Sequence, residues 1–315
     1  MANTVLATKE QLTFIDQTVY EPKSAPLVAR NLFSTITVPD TFQAYRYKVK
    51  TGNALARAFS NRSTDIPVVD ESLKETQVPI TQFALGAEYS YLELKTAQQV
   101  GVDLLADQAQ LVARGMGEYE DRLIFNGQDN SDPSMKIIGL TNTKTEETGY
   151  QQITSTKPFK AMSGEELRSF FKEAVGKITH LAGYAGVKPT LLLPQARIDE
   201  LDNPYNEYNA DMTPLDMINK WVESVQPVEE LQGQYWHAKN ASKADKAKDM
   251  GLLMVRTPDV AQIPVAMNMT RLEQETHGLV TKIPYIERIG GLAVRYPSAV
   301  VQLLGINLEE SLWKH

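Results

Sequence analysis

A chain of 315 residues, 42% of them apolar, is long enough for one large domain or two of ordinary size around a real core. Its formal net charge of −7 excludes a general grip on nucleic-acid phosphates, and the absence of cysteine excludes disulfides, thiolate metal sites and cysteine nucleophiles. The first residues lack a basic segment followed by an unbroken apolar run, and no window approaches the roughly 18 consecutive apolar residues of a spanning helix, so a cytoplasmic protein without membrane contact is expected.

Residues 1–40 carry Leu12, Phe14, Ile15, Val19, Leu27, Val28, Leu32 and Phe33 between Pro22, Pro26 and Pro39, which rule out one long helix. The pattern predicts an extended or short-helix arm that needs a surface to lie on. In 42–50, FQAYRYKVK, Tyr45, Tyr47 and Val49 alternate with Arg46, Lys48 and Lys50, the signature of a half-buried strand. Its expected partner is 78–91. There Val78 and Ile80 share one phase while Phe83, Leu85, Ala87, Tyr89 and Tyr91 share the other, a slip that predicts a β-bulge near Thr81-Gln82.

The polar-rich stretch between these strands far exceeds the roughly 2–5 residues a hairpin turn needs. Its large apolar residues, Leu55, Phe59, Ile66, Val68 and Val69, are too sparse for a private core and are expected to bury against another chain. From about Thr96 to Phe125, Leu105, Ala109, Val112, Met116, Tyr119 and Leu123 form one helical stripe roughly 45 Å long. Gly101, Gly115 and Gly117 mark a kink or a close contact along it.

Ser163 with Glu166 opens a capping box for a helix carrying Leu167, Phe170, Phe171, Ala174, Ile178 and Leu181. KPTLLLPQ (188–195) reads as an apolar strand followed by a brief helix around Ala196 to Leu201, and Thr213-Pro214 starts another helix with Leu215, Ile218 and Trp221. Strands are expected at Gly251 to Arg256, at Ile263 to Met267 and within 286–306. The lysine- and alanine-rich stretch 237–251 reads as a solvated loop, and the middle third is α/β between flanks of long antiparallel elements.

Chemistry is sparse. His180, His237, His277 and His315 are far apart, with no metal-ligand spacing, and His180 reads as a capping or surface residue. GYAGVKPT (183–190) breaks the phosphate-loop order at Pro189, GMGEYE (115–120) lies inside a helix, and no nucleophile elbow occurs. Glu118, Glu120, Asp121 and Asp129 then offer carboxylates on either side of the Asn126-Gly127 break. Glu118 and Arg122 have the spacing of a favourable i,i+4 pair, and the acids read as solvated or salt-bridged rather than as an acid/base pair. No catalytic residue, cofactor or metal is assigned.

The order of parts resembles the major capsid protein of tailed double-stranded-DNA bacteriophages. The resemblance rests on the helix end EYEDRLIFNG (118–127), the following Ile138-Gly139-Leu140, PTLLLP (189–194) and GGLAVRYP (290–297), and it covers nearly the whole chain. It implies an α+β fold with an N-terminal arm (1–41), an extended β-hairpin loop (42–91), a peripheral domain with a long spine helix (92–160 and 265–290), and an α/β axial domain (161–264 and 291–315).

It further implies that the hairpin loop lies over a neighbouring subunit, with Leu55, Arg57, Phe59, Arg62, Asp65, Ile66, Val68 and Lys74 as inter-subunit contacts. Glu118, Glu120, Asp121 and Arg122 then form ion pairs within the helix or across a subunit boundary. Hexamers and pentamers would close into an icosahedral shell around double-stranded DNA held without sequence-specific contacts, assembled in the host cytoplasm. Portal, scaffold, decoration or minor capsid proteins would be further partners. The short stretch before the arm suggests a separate scaffold or none, and no residue marks a covalent crosslink. The competing readings are an encapsulin-type nanocompartment shell and a soluble acid/base hydrolase using Glu118, Glu120 or Asp121.

Overall fold

The computed structural model describes residues 27–53, 70–100, 104–206, 208, 211–233 and 249–307. In chain order, a one-turn helix α1 (Ala29–Leu32) leads into β1 (Ser34–Thr37), followed by β2 (Ala44–Asn53) and β3 (Asp70–Ser90). Two helices, α2 (Tyr91–Val100) and α3 (Leu104–Asn126), precede the small strands β4 (Gly127–Gln128) and β5 (Ile137–Ile138). Then come α4 (Thr145–Thr148), β6 (Gln151–Thr154), α5 (Gly164–Thr179), β7 (Thr190–Leu193), α6 (Gln195–Leu201), α7 (Pro214–Trp221), β8 (Val225–Pro227) and β9 (Gly251–Met254). The chain finishes with β10 (Ala261–Arg271), β11 (Glu275–His277), β12 (Val280–Gly290), β13 (Ala293–Val294) and β14 (Val300–Leu304).

One sheet runs in the order β1-β10-β12-β3-β2, with β11 and β13 paired to its flanks. The alternation predicted in β2 is observed: Tyr45, Tyr47 and Val49 are half-buried, while Arg46, Lys48 and Lys50 are exposed. Its partner differs from the expectation. β3 is a single 21-residue strand whose first part, Asp70 to Pro79, pairs with β2, and whose second part, Ile80 to Ser90, pairs with β12.

No bulge interrupts β3 near Thr81-Gln82, because both registers run without a shift. The change of phase marks the change of partner. At the crossing Val78, Pro79 and Ile80 are all buried, and Gly290 lies close against Pro79 and Pro264. The register shifts of this sheet sit in β10 instead, between Val265 and Met267 and between Met267 and Thr270.

Val112, Met116 and Leu123 put the α3 stripe into the core, and Phe83 of β3 meets Tyr119 with ring centroids 4.5 Å apart. The helical span starts at Tyr91 rather than near Thr96, and Leu105, placed on the stripe by its spacing, is exposed. The early turns of α3 have no packed layer over that position among the described residues, so periodicity alone overstated the buried length.

Close contacts fall at Gly115, which abuts Leu85, and at Gly117, which abuts Leu27, while Gly101 lies outside the described residues. Gly127 ends α3 in the left-handed region, at φ 71°. A Cβ on Gly139, opposite it, would lie 2.4 Å from the Asn126 carbonyl carbon, so only two glycines let the helix end and β5 approach this closely.

The second sheet runs in the order β6-β14-β9-β7-β8. Its middle strands β7, β9 and β14 are apolar and almost wholly buried, as strands covered on both faces must be. Over it, α5 begins with the predicted capping box: Glu166 N–H donates to Ser163 Oγ at 3.3 Å and Ser163 N–H donates to Glu166 Oε2 at 2.9 Å. Phe159, Phe170 and Phe171 pack tilted or edge-to-face with centroids 5.4–5.8 Å apart. Thr213 caps α7 through a second box with Asp216. The buried Gln302 of β14 donates to the carbonyls of Leu140 at 2.8 Å and Asn142 at 2.9 Å, tying this sheet to the segment that follows β5.

Candidate assembly surfaces

The carboxylates near the end of α3 are not equivalent. Glu118 pairs with Arg114, one turn earlier, at 3.1 Å, rather than with Arg122. Glu120 and Asp121 point inward and are almost fully buried. Asp121 accepts the backbone N–H groups of Val28 (2.8 Å) and Ala29 (3.1 Å), which lie at the start of α1. The helix carries no cap from its own Val28, so a carboxylate far along the chain supplies it.

Arg30, one residue on, donates from Nε to both Glu120 oxygens at 2.8 Å. One Nη reaches Asn268 Oδ1 at 3.0 Å and the other reaches Glu287. One guanidinium thus bridges α1, α3, β10 and β12. Burial raises the carboxyl of Glu120, against the pull of Arg30. Burial, with the like charge of Glu120 beside it, raises Glu287 to about 7. Burial also raises Asp121, against the two amide hydrogen bonds.

Arg122 is exposed, and its charge partly opposes the burial that raises Glu230. With Glu120 and Asp121 committed to holding the arm segment, neither is placed to handle a substrate proton. Arg30 and Glu287 were absent from the sequence-based set. The one local signal was that Glu287 shares the buried phase of Ile283 and Ile289 on β12, a position where an acid requires a partner.

The root of the hairpin is fixed by aromatic and guanidinium contacts. Tyr47 Oη donates to the Val294 carbonyl at 2.7 Å, and Arg295 reaches Tyr45 Oη at 3.0 Å, Gln262 Oε1 at 2.8 Å and the Pro258 carbonyl at 2.6 Å. Its guanidinium carbon stands 5.8 Å from the Tyr47 ring centroid. Beneath the root lies a cleft of about 340 Å³ lined by Tyr47, Val49, Thr76, Tyr150 and Leu292 among others, with the Lys136–Glu147 ion pair (2.8 Å) at its rim. Lys74 is exposed, across from Val49. Leu55, Arg57, Phe59, Arg62, Asp65, Ile66 and Val68 lie outside the described residues, as do His237, His315 and most of the 237–251 stretch.

Among the described residues no group of three His, Cys, Asp or Glu side chains could hold a metal ion, and no helix is long and apolar enough to cross a membrane. His180 closes α5 as its C-cap, and His277 is exposed, 4.0 Å from Glu275.

The site therefore joins α1 to a long helix and roots a β-hairpin on the seven-stranded sheet. The capsid protein of Myoviridae phage XM1 is similar over 96% of this chain and 100% of that one, with a TM-score of 0.75 at 13% identity. A structure of Mycobacterium phage Adephagia aligns over 96% and 98% of the two chains, with a TM-score of 0.62 at 14% identity. The virus-like particle from Pyrococcus furiosus aligns over 87% and 91%, with a TM-score of 0.53 at 14% identity. No curated protein sequence matches the chain.

The family model for the major capsid protein matches residues 55–306, and the chain belongs to that family. It is a structural, non-enzymatic capsid shell protein, a component of the virion capsid that assembles with copies of itself.

Proposed function

We propose that this chain is the repeating subunit of a tailed-phage shell that closes through hexamers and pentamers around a double-stranded DNA genome. The observation that carries the reading is the likeness to the phage XM1 capsid chain, which covers 96% of this chain and 100% of that one. The phage reading is preferred to a nanocompartment because the likeness to the Pyrococcus furiosus particle is weaker, with a TM-score of 0.53 against 0.75.

In this reading the seven-stranded sheet with α3 forms the peripheral domain and the five-stranded sheet with α5 and α7 the axial domain. β6 belongs with the axial body, because it pairs in parallel with β14. The hairpin β2–β3 lies over a neighbour, with Lys74 and the residues of 54–69 at the contact. The net charge of −7 suits a container whose wall releases its genome rather than binding it by sequence. Assembly takes place in the host cytoplasm, with a portal and scaffold, decoration or minor capsid proteins as partners. Electron microscopy of particles purified after nuclease treatment tests this: protected double-stranded DNA within an icosahedral shell supports the phage role, and shells that carry only a co-purified enzyme overturn it.

A further inference from the structure

The cleft of about 340 Å³ beneath the hairpin root lies where three parts of the chain meet: β2 with β3, the segment from Lys136 to Tyr150, and residues 291–297. Val49, Val78, Ile137, Leu292 and Val294 give it apolar walls. At the roughly 30 Å³ that one water occupies in the liquid, it has room for about eleven non-hydrogen atoms, near the lower end of small-molecule pockets.

Two features of the lining call for a ligand. Tyr150 is only 5% exposed, and its hydroxyl has no hydrogen-bond partner among the described residues. That hydroxyl is not sealed inside the protein, so it opens on the cleft its side chain lines. Burial, with the Tyr47 hydroxyl beside it, raises its pKa, and the phenol stays protonated as a donor. Tyr47 cannot satisfy it as a shared donor, because its own hydroxyl is given to the Val294 carbonyl at 2.7 Å.

The second feature is charge. In a chain of net charge −7, this lining carries Lys74, Lys136 and Arg295 against a single acid, Glu147. Glu147 is already held by Lys136 at 2.8 Å and Lys144 at 3.2 Å, and Lys136 lowers its carboxyl to about 2. Lys136 also stands 3.9 Å from Asp129. Arg295 spends its hydrogen bonds on neutral groups of Tyr45, Gln262 and Pro258, so its charge is not cancelled. Lys74 has no acidic partner among the described residues. A neutral hydrocarbon would leave the Tyr150 donor unpaired, and a cation would meet like charge.

We infer that this cleft is a binding site for a small amphipathic anion of the medium-chain carboxylate class. An oxygen of the head takes the Tyr150 hydroxyl, Lys74 and Arg295 supply the field that selects negative charge, and the tail packs on Val49, Ile137 and Leu292. Bound there, the molecule joins the hairpin strands to the body beneath them and steadies the hairpin root. The inference concerns the single subunit and does not depend on the shell reading.

Isothermal titration of the purified full-length protein with octanoate, octan-1-ol and octylammonium, which share one tail, tests it. Near neutral pH octanoate is expected to bind with a Kd of about 1 mM or tighter, and the alcohol and the ammonium at least about fivefold more weakly. Tyr150→Phe removes a hydroxyl without a partner in the subunit, so it is expected to keep the wild-type melting temperature and to weaken octanoate by about 3–10-fold. Lys74→Gln, at an exposed position, is expected to weaken octanoate by about 2–5-fold and to leave octan-1-ol unchanged. No octanoate binding up to about 10 mM overturns the inference, and is the result expected if a second copy or another part of the chain fills the cleft. Equal binding of the three probes overturns the anionic head. Octanoate binding that neither substitution weakens lies elsewhere and overturns the site.

Discussion

Asp121 on α3 accepts the amide hydrogen of Val28, 93 positions earlier in the chain, at 2.8 Å. Since Asp121 is 2% exposed and also holds the Ala29 amide, replacing it by alanine strands two N–H groups in a buried place. Asp121→Ala is expected to lower unfolding stability by about 1–3 kcal/mol and to speed amide exchange at Val28 and Ala29. Unchanged exchange at those two amides would show that the cap does not hold the segment.

Glu287 makes stability depend on pH in a definite direction. Its carboxyl is raised from the ordinary glutamate value to about 7, so the folded protein binds the proton more tightly than the unfolded chain. The contribution is fully present below the ordinary glutamate range and is lost as pH rises towards 7. Charged and polar neighbours on every packed element enter this balance: Arg30 on α1, Glu120 on α3 and Asn268 on β10. Glu287→Gln removes the titration. Its stability relative to wild type is expected to improve by about 1–3 kcal/mol between about pH 5 and pH 8 in denaturant titrations of the subunit. A difference that stays flat with pH contradicts the assignment.

The Gly127–Gly139 contact is backbone on backbone and cannot relax by turning a side chain. Gly139→Ala is expected to cost at least about 3 kcal/mol, read as a fall in melting temperature or as insoluble protein. Gly117→Ala, whose new methyl meets only the flexible end of Leu27, is expected to fall well short of that. Equal effects would mean that the helix end carries no special strain.

Among the described residues the hairpin root is held by Tyr47, Tyr45 and Arg295. Replacing 54–69 by an Asn-Gly turn is expected to leave the circular dichroism of the subunit unchanged while abolishing shell formation in light scattering. An unfolded variant would assign those residues to the subunit core, and normal shells would remove them from assembly.

Much of this was legible in the sequence because the signals are local. The Ser163–Glu166 box, the alternation of Tyr45, Tyr47 and Val49, the buried run at Leu191–Leu193 and the glycine after Asn126 each reflect chemistry within a few residues. Long-range pairing was not legible. Nothing near Arg30 announces Glu120 or Glu287, 90 and 257 positions away, and Glu120 and Asp121, expected to pair within the helix or across a subunit boundary, turn inward to α1 instead. Spacing also fixed the apolar face of α3 but not how far the chain covers it, so Leu105 was misplaced.

The central claim, that this chain builds a closed shell, is tested most directly by electron microscopy of the purified full-length protein at high concentration, with any scaffold partner supplied. Uniform icosahedral particles are the expected result. A protein that remains monomeric under those conditions would contradict it.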